Sequence, residues 1–131
     1  MATIFTRIIN GEIPCYKVAE DDNYFAFLDI NPLTKGHTLV VPKVENDYIF
    51  SLDDKTYCGL MMFAKRVAAA IEAAVPCKRI GVAVMGMEVP HTHVHLIPIN
   101  REGDMVISNP KLKLTEEEMR QIAAAIAEKM K

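Results

Sequence analysis

Apolar and polar residues alternate along this chain in short extended runs, interrupted by two longer stretches with the period of a helix. Tyr16 to Glu20 and Asn23 to Asp29 are rich in β-branched or aromatic residues and are separated by Asp21-Asp22, which predicts a β-hairpin. The loop Asn31-Pro32-Leu33-Thr34-Lys35-Gly36 breaks the pattern, and His37 to Val41 predicts a third strand ending at Pro42. Ser51-x-x-Asp54 opens a segment in which Leu60, Met61, Ala64, Val67, Ala68, Ile71 and Val75 recur every three or four residues, the signature of a helix burying one face; Pro76 ends it. Arg79 to Met85 and His91 to Ile99 predict two more strands, joined by Gly86-Met87-Glu88-Val89-Pro90. Ile4 to Asn10, closed by Asn10-Gly11, predicts one or two helical turns.

Near the carboxyl end, Thr115-Glu116-Glu117-Glu118 has the form of a capping box, and Met119, Ile122, Ile126 and Met130 share one face of the helix that follows. Acids open this helix and Lys129 and Lys131 close it, matching the macrodipole. Strands, a long central helix, more strands and a final helix make an α+β fold with a mostly antiparallel sheet. No repeat or low-complexity stretch divides the chain, so residues 1–131 are expected to form one domain that buries roughly two thirds of its unfolded surface.

Charge narrows the partners. Lys and Arg are scattered and the net charge is −2, so the basic stripe of a phosphate-tracking protein is missing and no nucleic acid is expected. No apolar stretch approaches the ~20 residues of a membrane span, so no membrane is expected either. Cys15, Cys58 and Cys77 are odd in number and widely spaced, and they are read as reduced thiols. The amino terminus lacks a basic segment followed by an apolar run, so a cytoplasmic location is expected.

The chemistry concentrates in Pro90-His91-Thr92-His93-Val94-His95-Leu96-Ile97-Pro98. On a strand, a spacing of two places His91, His93 and His95 on one face and Val94 and Leu96 on the other. A hydrogen bond to one ring nitrogen fixes an imidazole's tautomer and leaves the second nitrogen free to act as nucleophile, base or ligand. Alternate histidines also suit an open zinc site, but no Asp, Glu or Cys follows at a spacing that completes a familiar metal motif.

The segment His91-Thr92-His93-Val94-His95-Leu96-Ile97 resembles the signature of the histidine triad (HIT) family. Thr3-Ile4-Phe5, Glu12-Ile13-Pro14, Phe25-Ala26-Phe27-x-Asp29-Ile30-x-Pro32 and Gly36-His37-x-Leu39-Val40-Val41-Pro42-Lys43 resemble its Hint branch, so the likeness covers about residues 3 to 99, with a carboxyl-terminal extension beyond. The resemblance implies a five-stranded sheet joined to a second sheet across a homodimer, and an enzyme that hydrolyses nucleotide conjugates at the α-phosphorus through a nucleotidyl-histidine. Purine nucleoside phosphoramidates are the leading substrate class. Dinucleoside polyphosphates, or a binding module with weak turnover, are the alternatives.

The same resemblance makes His93 the nucleophile, its other nitrogen held by a backbone carbonyl near His91. It places His95 on the phosphate and His91 behind them, bonded to His37. Asp29 matches the acid that binds the ribose hydroxyls, and Phe5, Ile8, Ile13, Phe27, Leu28 and Ile30 match the apolar cleft for the base. Many relatives bind structural zinc through a cysteine pair near the amino terminus, where this chain has Thr3-Ile4-Phe5-Thr6. No histidine accompanies Pro42-Lys43-Val44-Glu45, so no metal and no cofactor are expected. Glu88 stands where relatives often place a small polar group on the phosphate. A carboxylate there would either repel a phosphate or bond an amine on the leaving group.

Overall fold

A computed structural model describes residues 2–131. Helix α1 spans Ile4–Ile9, strands β1 to β3 span Lys17–Glu20, Tyr24–Leu28 and Thr38–Pro42, and helix α2 spans Asp54–Ala74. Strands β4, Arg79–Ala83, and β5, Val94–Ile99, follow, and helix α3, Glu116–Lys129, closes the chain. The five strands form one antiparallel sheet in the order β1-β2-β3-β5-β4. The expected α+β class and single five-stranded sheet are what the fold contains. None of the described helices is long and apolar enough to cross a membrane.

Local chemistry explains the turns and ends. The β1–β2 hairpin closes because the Asp21 carboxylate accepts the N–H groups of Asn23 and Tyr24 at 2.9 and 2.8 Å, a side-chain mimic of a backbone turn. The Thr115 capping box forms as expected: its hydroxyl accepts the Glu118 N–H and the Glu118 carboxylate accepts the Thr115 N–H. Helix α2 starts later than Ser51 suggests. Asp53, in extended backbone, accepts the Thr56 N–H at 2.7 Å and is the cap, while Ser51 lies in a 3-10 turn and bonds Asn46 and Tyr48.

Both faces of the sheet are covered, which is why β2 and β3 are buried along their whole length and do not alternate. On one face Ala26, Leu28, Val40, Val94 and Leu96 meet α2 and α3. The buried stripe of α2 is Leu60, Phe63, Ala64, Val67, Ala70 and Ile71, with the expected Met61 and Ala68 at its margins. On the other face Phe25, Phe27, Leu39 and Val41 pack with Phe5 and Ile8 of α1. Each large side chain so buried contributes roughly 1.5–3 kcal/mol.

One close approach fixes how α2 sits on the sheet. A Cβ added at Gly59 would lie 2.0 Å from the Tyr24 hydroxyl oxygen. That ring cannot withdraw: it packs on Phe63 at 5.7 Å between centroids, and its hydroxyl donates to the Thr56 carbonyl at 3.1 Å. Helix propensity alone makes Gly59→Ala stabilising by about 1 kcal/mol. Overpacking at about 1–3 kcal/mol outweighs it, so the variant is expected to melt several degrees below wild type. A raised midpoint in a thermal melt would show that Tyr24 yields.

Candidate active site

The register of β3 on β5 sets the site. Leu39 pairs with His95 and Val40 with Val94, so the face carrying Val94 and Leu96 goes to the helices and His95 goes to the face shared with Leu39 and α1. The predicted strand starts at His91, but the ladder begins only at Val94. His91 and His93 lie ahead of it, held by other bonds. His91 is fully buried, with Nε2 2.8 Å from the Pro42 carbonyl and Nδ1 2.8 Å from the Thr3 hydroxyl. Thr3 also caps α1, and its backbone N–H donates to Glu45 at 2.8 Å. Phe5 of the same helix presses edge-on against His91 and His93, with ring centroids 5.8 and 5.0 Å away.

The tautomers are assigned from these partners. A carbonyl only accepts, so His91 carries its proton on Nε2 and takes the Thr3 hydroxyl hydrogen on Nδ1. His93 Nδ1 lies 2.8 Å from the His91 carbonyl and therefore bears the proton, leaving the Nε2 lone pair free. His37 Nδ1 accepts the Leu33 N–H at 3.0 Å, so Nε2–H donates to His95 Nδ1 at 3.0 Å. His95 then carries its own proton on Nε2.

His37 is thus bonded to His95 and not to His91, a correction that follows from register. With Leu39 opposite His95, antiparallel pairing places His37 diagonal to His95 and sends His91 to the far end of β3, where it meets Pro42.

Burial favours the neutral forms of His37, His95 and His91. It lowers the His37 pKa to about 3, helped by the charges of His95 and Lys111. It lowers that of His95 to about 4, helped by His93, and it lowers His91 against the opposing pull of the Pro42 carbonyl and Glu45. Burial raises the Asp29 carboxyl above its ordinary value, against the Asn31 N–H at 2.8 Å and the charges of His93 and Lys111.

A cavity of about 510 Å³, the size of a small-molecule site, brings Asp29, His37, His93 and His95 together with Glu88 and Lys111. The other expected site residues lie elsewhere. His91 sits behind the cavity, and Phe5, Ile8 and Phe27 pack with one another, with Ile13 half-buried beside them. The Leu28 side chain enters the opposite core, against the helices, because its neighbour Phe27 takes the α1 face. Ile30 is 70% exposed and belongs to neither cluster. Lys111, in the segment ahead of α3, reaches the cavity, where the Leu112 N–H donates to the Pro32 carbonyl at 2.9 Å.

Asp29, His37 and His95 also offer donor atoms within 4.8 Å of one another. Metal ligation there would need a lone pair on His37 Nε2. The single lone pair of that neutral ring is on Nδ1, engaged by Leu33, so His37 and His95 are built as a hydrogen-bonded pair with Asp29 beside them.

At about pH 5.5, where an ordinary histidine is mostly protonated, His37 and His95 should remain neutral and carry hydrogen on Nε2. Long-range proton–nitrogen correlation spectra report both properties, and an Nδ1-protonated His95 would overturn the assignment. Because the folded pKa values lie below the unfolded 6.5, unfolded chains bind extra protons between pH 6.5 and about 3. Stability should be fully present above pH 6.5 and fall with acid, less steeply in His37→Gln when melting temperature is followed against pH.

The chain matches the HIT domain model over residues 10–102. It is 38% identical over 132 residues to an uncharacterized HIT-like protein from Borreliella burgdorferi, covering 95% of each chain. It is 34% identical over 134 residues to the adenosine 5'-monophosphoramidase hnt1 of Schizosaccharomyces pombe, covering all of both. The crystal structure of a Hit-like protein involved in cell-cycle regulation from Bartonella henselae superposes with a TM-score of 0.82 at 31% identity, covering 97% of this chain and 95% of the other. The histidine motif, the sheet topology and these matches agree: the chain belongs to the HIT domain family.

Proposed function

We propose that this protein hydrolyses purine nucleoside phosphoramidates at the α-phosphorus, with His93 as nucleophile. The observation that carries this reading is the pairing of opposite polarities in one cavity. His93 presents an Nε2 lone pair, and His95, its ring centroid 5.0 Å away, presents an Nε2–H. The similarity to a relative named as an adenosine 5'-monophosphoramidase supports the substrate class.

His93 Nε2 attacks phosphorus, the P–N bond breaks, and its electron pair leaves on nitrogen, which takes a proton from water and departs as the amine. The hydroxide equivalent of that water then displaces His93 from phosphorus, so one water is consumed and the imidazole is restored. His95 Nε2–H donates to the phosphoryl oxygen as charge develops on it, and neighbouring neutral His37 holds His95 in the donating tautomer. Asp29 takes the ribose hydroxyls, and the base lies over the apolar cluster of Phe5, Ile8 and Phe27 at the half-buried Ile13. The free thiols Cys15, Cys58 and Cys77 support a reducing, cytoplasmic location.

His93→Ala is expected to abolish monophosphate release from an adenosine phosphoramidate while leaving the far-ultraviolet circular dichroism unchanged. Intact mass after mixing wild type with a slow substrate should show one covalently bound nucleotide, mapping to His93; equal rates in variant and wild type would remove His93 from the mechanism.

We further propose a homodimer joined through β4. This strand is an edge of the sheet, and it exposes Val82 along with its unpaired backbone groups. Sedimentation equilibrium should give about twice the chain mass of 14.7 kDa, and a single-chain mass at micromolar concentration would refute the proposal.

A further inference from the structure

The cavity is poor in positive charge. Burial favours the neutral forms of His37 and His95, and among the described residues Lys111 is the one lysine or arginine that lines it. That ammonium is committed: it donates to the Ile107 and Asn109 carbonyls, and its charge bears on Asp29 and His37. Glu88, in the loop before the triad, also lines the cavity and forms no ion pair among the described residues. Met85 and Met87, which precede it in the same loop, line the same space, and Met87 is 90% exposed.

A polyphosphate leaving group, with two or more negative charges, would meet a carboxylate there and, among the described residues, no uncommitted lysine or arginine. An alkylamine would lay its methylenes on two adaptable thioether side chains. If it carried a second ammonium, Glu88 would meet it with the opposite charge.

We propose that Glu88 selects the leaving group, favouring nucleoside phosphoramidates of alkyl diamines or polyamines and disfavouring anionic leaving groups. This rests on the phosphoramidate reading above. Glu88 acts through charge at the leaving group's far end, so the bond that breaks and the atoms that react are unaltered.

The test uses three conjugates of one nucleoside monophosphate, linked through nitrogen to butylamine, diaminobutane or aminobutyrate. Chain length is constant and the terminal charge is zero, positive or negative. In wild type at low salt, kcat/KM should rank diaminobutane above butylamine above aminobutyrate, with about tenfold between the extremes, equivalent to about 1.4 kcal/mol. Glu88→Gln should compress the three values to within about twofold, Glu88→Lys should reverse their order, and Glu88→Asp should keep it. Added salt should narrow the wild-type spread. Release from all three at one rate in wild type, or an unchanged spread in Glu88→Gln, overturns the role of Glu88 and leaves the phosphoramidate reading standing. No release from any conjugate overturns both.

Discussion

A neutral imidazole has one N–H and one lone pair, and this valence rule organises the site. Burial favours the neutral forms of His37, His91 and His95, and in a neutral ring fixing one nitrogen dictates what the other must offer. The Leu33 amide sets His37, and His37 sets His95, so this chain of bonds ends in a donor. The His91 carbonyl sets His93, which ends in a lone pair. The two ends meet in one cavity, a nucleophile beside a hydrogen-bond donor. Protonation would break the arrangement, because a charged His37 would have two donors and nothing to give the Leu33 amide.

The fold exists to hold those ends still. Strands β3 and β5 are anchored from behind, where Val40, Val94 and Leu96 lock into α2 and α3, and from the front, where Phe5 of α1 braces the rings of His91 and His93. Thr3 joins the two jobs, since one hydroxyl caps α1 and also satisfies His91. A six-residue helix is too short to persist by propensity, so its position depends on these tertiary contacts. The buried ring of His91 therefore serves as a peg between α1 and β3, and its backbone carbonyl does the chemical work of orienting His93.

Periodicity located every strand and both long helices, because hydrophobic burial is written locally at intervals of two or of three and four residues. The Thr115 box was equally legible, being a four-residue signal. What escaped the sequence was relational. The partner of His37 depends on which residue of β5 faces Leu39, and the alternation within a strand does not encode that offset. Leu28 was placed in the cleft although alternation from Phe27 puts it on the opposite face, so there the resemblance overrode a local rule that was correct. Lys111 reads as a solvated charge because the Leu112–Pro32 bond that carries it to the cavity spans about eighty residues of chain. Asp53, not Ser51, caps α2 because the pattern fixes where a helix is buried more sharply than where it begins.

Asp29 shows how the same burial that silences the histidines prepares a binding group. Its Oδ2 lies 3.7 Å from His37 Nε2, close enough for an ion pair if His37 were charged. His37 stays neutral and gives its one Nε2 hydrogen to His95 at 3.0 Å, so Asp29 takes no charge-assisted bond from it. The carboxylate keeps one short bond, from the Asn31 N–H to Oδ1, and burial outweighs that bond in setting its pKa. An ionised carboxylate has room for about four donated hydrogens. A half-buried acid left with this unspent capacity, lining a cavity, gains most from a ligand that brings two adjacent hydroxyl donors, as a ribose does. The shortage of donors around Asp29 is thus the physical counterpart of the role proposed for it.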